Sequence, residues 1–252
     1  MDVSSKPKYA DYEDETDKNN GKLNEFAPAI PGRMMVVGSS GSGKTRVIRN
    51  LVEKHLAFDY LFVLAKHIYK KDYTTMRRYF EEQEEKIGEQ RTLWTKEVDD
   101  MPNIDDLDED SRNIMIMDDM MNEDKKTQRK IAQQFIAGRK GGTLLIAIVQ
   151  SFIGLDKNAR RNVTDILLFG GAPPIDEDSL KSIHKEYCRD ITDFGMFKLL
   201  YQSCVNIPYG FLYIDLRAKN IHQKYRYKFD CFLDYAKLQA TYEQMQKQRR
   251  KK

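Results

Sequence analysis

Gly38-Ser39-Ser40-Gly41-Ser42-Gly43-Lys44-Thr45 fits the spacing G-x-x-x-x-G-K-[ST] of a phosphate-binding P-loop. Immediately before it, Arg33-Met34-Met35-Val36-Val37 is a short apolar run of the kind that forms a buried strand. After it, between Arg46 and Ala57, apolar residues recur at helical spacing at Val47, Ile48, Leu51, Val52 and Leu56. Strand, glycine loop and helix is the order such a site needs. Small residues let backbone N–H groups curl around phosphate oxygens, and the helix directs its positive end at the same anion. Gly38, Ser39, Ser40, Gly41, Ser42, Gly43, Lys44 and Thr45 are therefore the candidate ATP-binding residues, with Lys44 reaching the outer phosphates and Thr45 holding Mg2+.

Further along, Asn113-Ile114-Met115-Ile116-Met117 is a second apolar run, and it ends in Asp118-Asp119. Alone this is an ordinary strand end. Downstream of a P-loop it reads as a Walker B element, with Asp118 placed to hold Mg2+ opposite Thr45 and Asp119 to orient or deprotonate an attacking water. Thr143 to Val149 predicts another buried strand, terminating in Gln150-Ser151. From spacing alone, Gln150 either satisfies loop backbone or positions water at the γ-phosphate.

The remaining pattern is that of an α/β protein. Asp59–Ala65, a shorter Thr92–Val98 and Thr164–Phe169 predict strands; 72–90 predicts a charged surface helix, and 123–138 a helix with Ile131, Phe135 and Ile136 on its apolar face before Gly138-Arg139-Lys140-Gly141-Gly142. Alternating strands and helices imply a mostly parallel sheet covered on both faces, gathering Gly38–Thr45, Asp118, Asp119 and Gln150 along its carboxyl edge. Beyond Phe169, helices are expected over 177–187 and 193–204, strands over 209–216 and 223–229, and a final helix over 232–246. The expected organisation is a flexible polar arm over 1–26, an ATPase domain over 27–231 with its core motifs in 33–170, and a C-terminal helix with a basic tail over 232–252.

Composition narrows the class. Charged residues are 32% of the 252, yet the net charge is only +3, so any nucleic-acid contact has to be local, as at Lys247-Gln248-Arg249-Arg250-Lys251-Lys252. That tail reads either as a solvated end or as a phosphate contact. Three cysteines at wide spacing and four histidines in no ligand pattern argue for reduced thiols and no metal beyond nucleotide-bound Mg2+. The acid-rich stretch 99–110 reads as a solvated connection rather than a cation site. The longest apolar run, Leu144–Val149, falls far short of the roughly 20 residues a membrane span needs, so a soluble, intracellular protein with no membrane partner is expected.

With Gly38–Thr45, Asp118-Asp119, Gly138-Arg139, Gln150-Ser151 and Arg160-Arg161-Asn162 in this order, the chain resembles the FtsK/HerA superfamily of P-loop ATPases, and within it the poxvirus-type genome-packaging ATPases of large DNA viruses and virophages. The resemblance covers roughly residues 30–170. It implies a P-loop NTPase fold of the additional-strand type, with the Gln150 strand lying between the P-loop strand and the Asp118 strand. It also implies a homo-oligomeric ring, pentamer or hexamer, that pulls double-stranded DNA into a preformed capsid, with a capsid or portal component as a further partner. Such a protein would work in the host cytoplasm at viral assembly sites or in association with the virion. The superfamily completes each site with an arginine from the neighbouring subunit, for which Arg160 is the first candidate, Arg139 the second and Arg161 the third. Two positions depart from the pattern. Asp119 stands where many relatives carry Glu, and Lys140 where they often show His. A helicase or DNA-partitioning ATPase of the same superfamily, and a nucleotide-dependent scaffold with little turnover, are the alternative readings. A small-molecule kinase fits less well, because paired acids and a strand-end Gln suit water better than an acceptor pocket.

Overall fold

The structure, a computed structural model, describes residues 21–108, 110–120, 123–137 and 142–249. Its frame is a sheet of nine strands among the described residues: β1 (Gly32–Val37), β2 (Tyr60–Ala65), β3 (Thr92–Thr95), β4 (Asn113–Asp118), β5 (Thr143–Val149), β6 (Asp165–Phe169), β7 (Phe211–Asp215), β8 (Tyr225–Tyr227) and β9 (Cys231–Phe232). They lie in the order β3-β2-β4-β5-β1-β6-β7-β8-β9. The first six are parallel, and β7, β8 and β9 close one side antiparallel. β1 is the sequence-predicted strand before the glycine loop, and it is central because all six of its residues are buried. Its unbroken apolar run suits a strand covered on both faces.

Alternation along the strands divides the core in two. Met34, Val36, Ile114, Ile116, Ile146 and Ile148 face α1 (Lys44–Lys54) and α2 (Lys71–Ile87), which contribute Ile48, Leu51, Tyr73 and Met76. Met35, Val37, Met115, Met117, Leu145 and Ala147 face the other layer. That layer comprises α3 (Lys125–Ala137), α4 (Lys157–Arg160), α5 (Glu177–Tyr187) and α6 (Phe194–Val205), with α7 (Ile221–Lys224) and α8 (Tyr235–Arg249) following along the chain. Each fully buried Met, Leu or Ile here stabilises the fold by about 1.5–3 kcal/mol relative to exposure. The expected α/β class, with a mostly parallel sheet between two helical layers, is the observed one.

Several expectations change in detail. Residues 21–26, expected in the arm, are tied to the body: Lys22 bridges Leu56, Leu23 N–H donates to the His55 carbonyl, and Asn24 Nδ2 donates to the Phe229 carbonyl at 2.9 Å. Residues 1–20 lie outside the described residues. Phe232, expected to open the final helix, instead closes the sheet in β9, and the helix begins at Tyr235. On α3, Ile131 and Phe135 are buried but Ile136 is 49% exposed, because it sits one position off the packed stripe. The acid-rich connection is anchored by Ile104, fully buried, whose N–H donates to Gln134.

Candidate active site

The site forms where β1 turns into α1. Gly43 caps the helix at φ 93°, a left-handed backbone that a side chain would strain, and no side chain caps the N–H groups that follow. Those free amides and the helix dipole make the first turn an anion seat. Lys44 Nζ curls back over the loop and donates to the Gly38 and Ser39 carbonyls at 2.6 and 2.8 Å. Burial lowers its pKa, while Asp118 and Asp119 pull in the opposite direction.

Two parallel strand ends bring in the acids and Gln150. Asp118 closes β4, and its Oδ2 accepts from Thr45 Oγ1 at 3.3 Å and from Tyr73 Oη of α2 at 2.5 Å. Burial raises the Asp118 pKa, opposed by hydrogen bonds from those two hydroxyls and by the Lys44 charge. Tyr73 is held well above its ordinary value by burial and the adjacent carboxylate, so it remains a donor. Asp119 follows at φ 60°, a left-handed turn that Asp tolerates better than most residues and that re-aims its carboxylate after the strand. Its Oδ1 accepts from Gln150 Nε2 at 3.0 Å. Gln150 arrives from β5, which lies between β1 and β4 as the resemblance implied.

Lys44, Thr45, Asp118, Asp119 and Gln150 line one open cavity of about 370 Å³, joined by Ser40, Gly41 and Gly43 of the loop. Gly38, Ser39 and Ser42 lie beneath or beside this wall rather than on it. The fit to Mg2+ rests on the donor set. Thr45 hydroxyl and Asp118 carboxylate converge as hard oxygens beside an open space, the environment Mg2+ takes with phosphate oxygens and water completing its shell. Among the described residues no cluster of three or more His, Cys, Asp or Glu suits a protein-only metal cage.

The arginines separate. Arg160, expected first as the residue reaching a neighbouring subunit, is turned inward: it is 9% exposed, Nη1 donates to the Phe152 carbonyl at 3.3 Å, its guanidinium lies 4.4 Å from the Phe152 ring centre, and Nη2 is 3.8 Å from Glu186. The side chain is committed within its own subunit. Arg161, next along, is exposed. Arg139 lies outside the described residues.

Six residues of this cavity were not singled out from the sequence: Arg46, His67, Lys70, Asp72, Ile148 and Tyr209. Tyr73, behind Asp118, makes a seventh. Arg46 directly follows the P-loop, and a basic side chain there is a sequence-local signal. The tyrosines reach the site only through the fold. Tyr73 had one weak signal, its place with Met76 and Phe80 on an apolar stripe of an otherwise charged helix.

A profile of the Poxvirus A32 protein family matches residues 24–170, more than half of the chain. The chain belongs to the Poxvirus A32 protein family. Every described site residue of this A32 family member falls inside the matched range except Tyr209. Among solved structures, the chain is similar to the genome packaging NTPase B204 from Sulfolobus turreted icosahedral virus 2 in complex with ATP-gammaS, at 14% identity and a TM-score of 0.50, covering 80% of this chain and 98% of that one. It also resembles the cytoplasmic domain of the type VII secretion ATPase EccC of Thermomonospora curvata, at 11% identity and a TM-score of 0.42, covering 81% of this chain and 24% of that one. At these identities the first likeness is one of fold. Comparison with curated protein sequences gives no match.

Proposed function

We propose that this chain is an ATP-hydrolysing motor that packages double-stranded viral DNA. The observation that carries the reading is the convergence of Lys44, Thr45, Asp118, Asp119 and Gln150, from two strand ends and one helix start, on a single cavity. Membership of the A32 family supports the viral setting, and the fold shared with a genome packaging NTPase supports packaging over other uses of a P-loop.

Each residue then has a chemical task. The α1 amides and the Lys44 ammonium neutralise phosphate charge. Mg2+, when bound at Thr45 and Asp118, would supply further neutralisation of the phosphate oxygens. Asp119 accepts the proton of the attacking water, and Gln150, already bonded to Asp119, holds that pair in line. Tyr73 keeps the Asp118 carboxylate in one orientation. Arg161, exposed beside the inward-turned Arg160, replaces it as the arginine offered to a neighbouring subunit in a ring, a contribution worth about 10³-fold or more in related chemistry. DNA is gripped through its phosphates, with the basic end of α8 at Lys247 and Arg249 among the contacts.

The test is ATPase activity with and without duplex DNA across salt, alongside mass in solution. Stimulation that is independent of sequence and falls as salt rises is expected; turnover indifferent to DNA at every salt would sink the motor. Mixing then separates the arginines. Lys44→Ala subunits mixed with Arg161→Ala subunits should regain activity, whereas Arg160→Ala should lower stability and show no complementation; recovery with Arg160→Ala instead would reverse the assignment.

A further inference from the structure

We infer that Tyr209 is the stacking platform for the base of the bound nucleotide, in a purine-accepting seat between the P-loop and the turn that leads into β7. This rests on the triphosphate reading proposed above and extends it to the other end of the ligand.

The direction follows from the sheet. β1 is flanked by β5 on one side and β6 on the other. Asp119 and Gln150, the pair that would meet the terminal phosphate, stand on the β4 and β5 side. A triphosphate laid over the α1 amides with that orientation leaves its nucleoside on the β6 and β7 side. There a second cavity of about 450 Å³ opens between Gly41 and Ser42 of the loop and a wall that includes Gly171, Ile207 and Pro208. Gly41 and Tyr209 line both cavities, so the two spaces meet at that ring.

The ring is held as a platform is held. It packs so closely on the loop that a Cβ at Gly43 would lie 2.3 Å from Tyr209 Cδ1. It is 50% exposed nonetheless. Its backbone sits at φ 60°, a left-handed conformation that costs a bulky residue about 1–3 kcal/mol and persists where the surroundings over-determine it, as at ligand clamps. The Arg46 guanidinium lies 5.6 Å from the ring centre and lines the first cavity but not the second, so it occupies the phosphate side of the ring. Ser42 lies on the wall of the second cavity beside Gly41. Ile207, 49% exposed, and Pro208 add apolar surface suited to a flat aromatic ligand. Larger rings gain more from such a surface than smaller ones, which is why a purine is expected to outbind a pyrimidine.

The test compares two probes by calorimetry on the full chain: Mg·ATP-gammaS, which carries a base, and Mg·tripolyphosphate, which does not. Tyr209→Gly removes the ring while suiting the left-handed backbone, and Tyr209→Asn, which also tolerates it, is a second ring-deleted variant should the first misfold. Loss of a base stack predicts at least about tenfold weaker ATP-gammaS binding in the ring-deleted variant, tripolyphosphate affinity within about twofold of wild type, and a smaller preference for ATP over CTP. Tyr209→Phe should behave as wild type. Unchanged ATP-gammaS affinity would overturn the proposal, and so would equal weakening of both probes, which would make the ring a prop for the loop. Lys44→Ala that fails to weaken either probe would instead remove the phosphate site itself and leave no nucleotide to orient.

Discussion

At the amino edge of the parallel strands, Asp165 of β6 is fully buried and accepts from Tyr213 Oη at 2.5 Å, Thr164 Oγ1 at 2.6 Å and Arg217 Nη2 at 3.0 Å. Its neighbour Asp215 accepts from Arg226, whose guanidinium also stacks 4.7 Å from the Tyr213 ring centre. At the carboxyl edge, Asp118 is bonded to two hydroxyls and no cation, Asp119 to an amide, and Lys44 to two carbonyls. Both edges bury acids and bases. At the first, each carboxylate is answered by an arginine, so the charges cancel within the fold. At the second, Arg46 and Asp72 pair at the rim, but Lys44 faces Asp118 and Asp119 across one cavity without pairing, so the ammonium is available to an incoming anion and those carboxylates to a cation. Perturbed or buried charge marks a functional edge only where it is not already matched.

The sharpest break between the edges is Lys44→Ala. Turnover should fall by about 10³-fold or more, since the lysine acts directly on the transferred charge. Unfolding free energy should stay within about 1 kcal/mol of wild type, because the residue's ammonium is penalised by burial and pairs with no acid in the fold. Retained wild-type ATPase would remove the P-loop from the mechanism. The complementary change is Asp165→Ala. Deleting the buried carboxylate leaves the Tyr213 hydroxyl unmatched and takes the charge partner from Arg217, which is 36% exposed and keeps its bond to the Pro31 carbonyl, so it should cost about 1–3 kcal/mol in urea unfolding. Nucleotide affinity of the remaining folded protein should be unchanged. A stable Asp165→Ala protein that had lost nucleotide binding would erase the distinction between the edges.

How much of this was legible in the chain follows the same line. The P-loop could be read because its chemistry lies within eight consecutive residues, and Asp118, Asp119 and Gln150 because each ends an apolar run long enough to mark a strand. The amino-edge network was not visible: Asp165, Asp215, Arg217 and Arg226 are scattered charges that only the antiparallel return of β7 and β8 assembles. Arg160 is a candidate through the resemblance alone, and nothing local in the sequence announces that Phe152 and Glu186 will close over it. The two-residue β9 is too short to carry any periodicity, so Phe232 read as helix. Tyr73 and Tyr209 illustrate the limit best, since each acts through a tertiary contact with a residue far away in sequence.

Tyr73→Phe gives the finest test of how the carboxyl edge works. The hydroxyl is one of the forces holding the Asp118 pKa down against burial, and burial is the larger influence. Removing it should let that pKa rise further, so at a given pH less of the carboxylate is ionised and able to serve. The sign is therefore fixed: the acid limb of the pH–rate profile moves to higher pH, while activity well above that limb changes little. A hydrogen bond to a charged group is worth about 1.5–3 kcal/mol, which caps the loss on the acid side at roughly 10- to 100-fold. A merely structural tyrosine would lower activity by the same factor at every pH, so a uniform drop, or a profile that does not move, would detach α2 from the chemistry. Should the limb move as expected, α2 becomes a lever on Asp118, and contacts at its start, such as Arg49 with Asp72 at 3.2 Å, gain a route to the site.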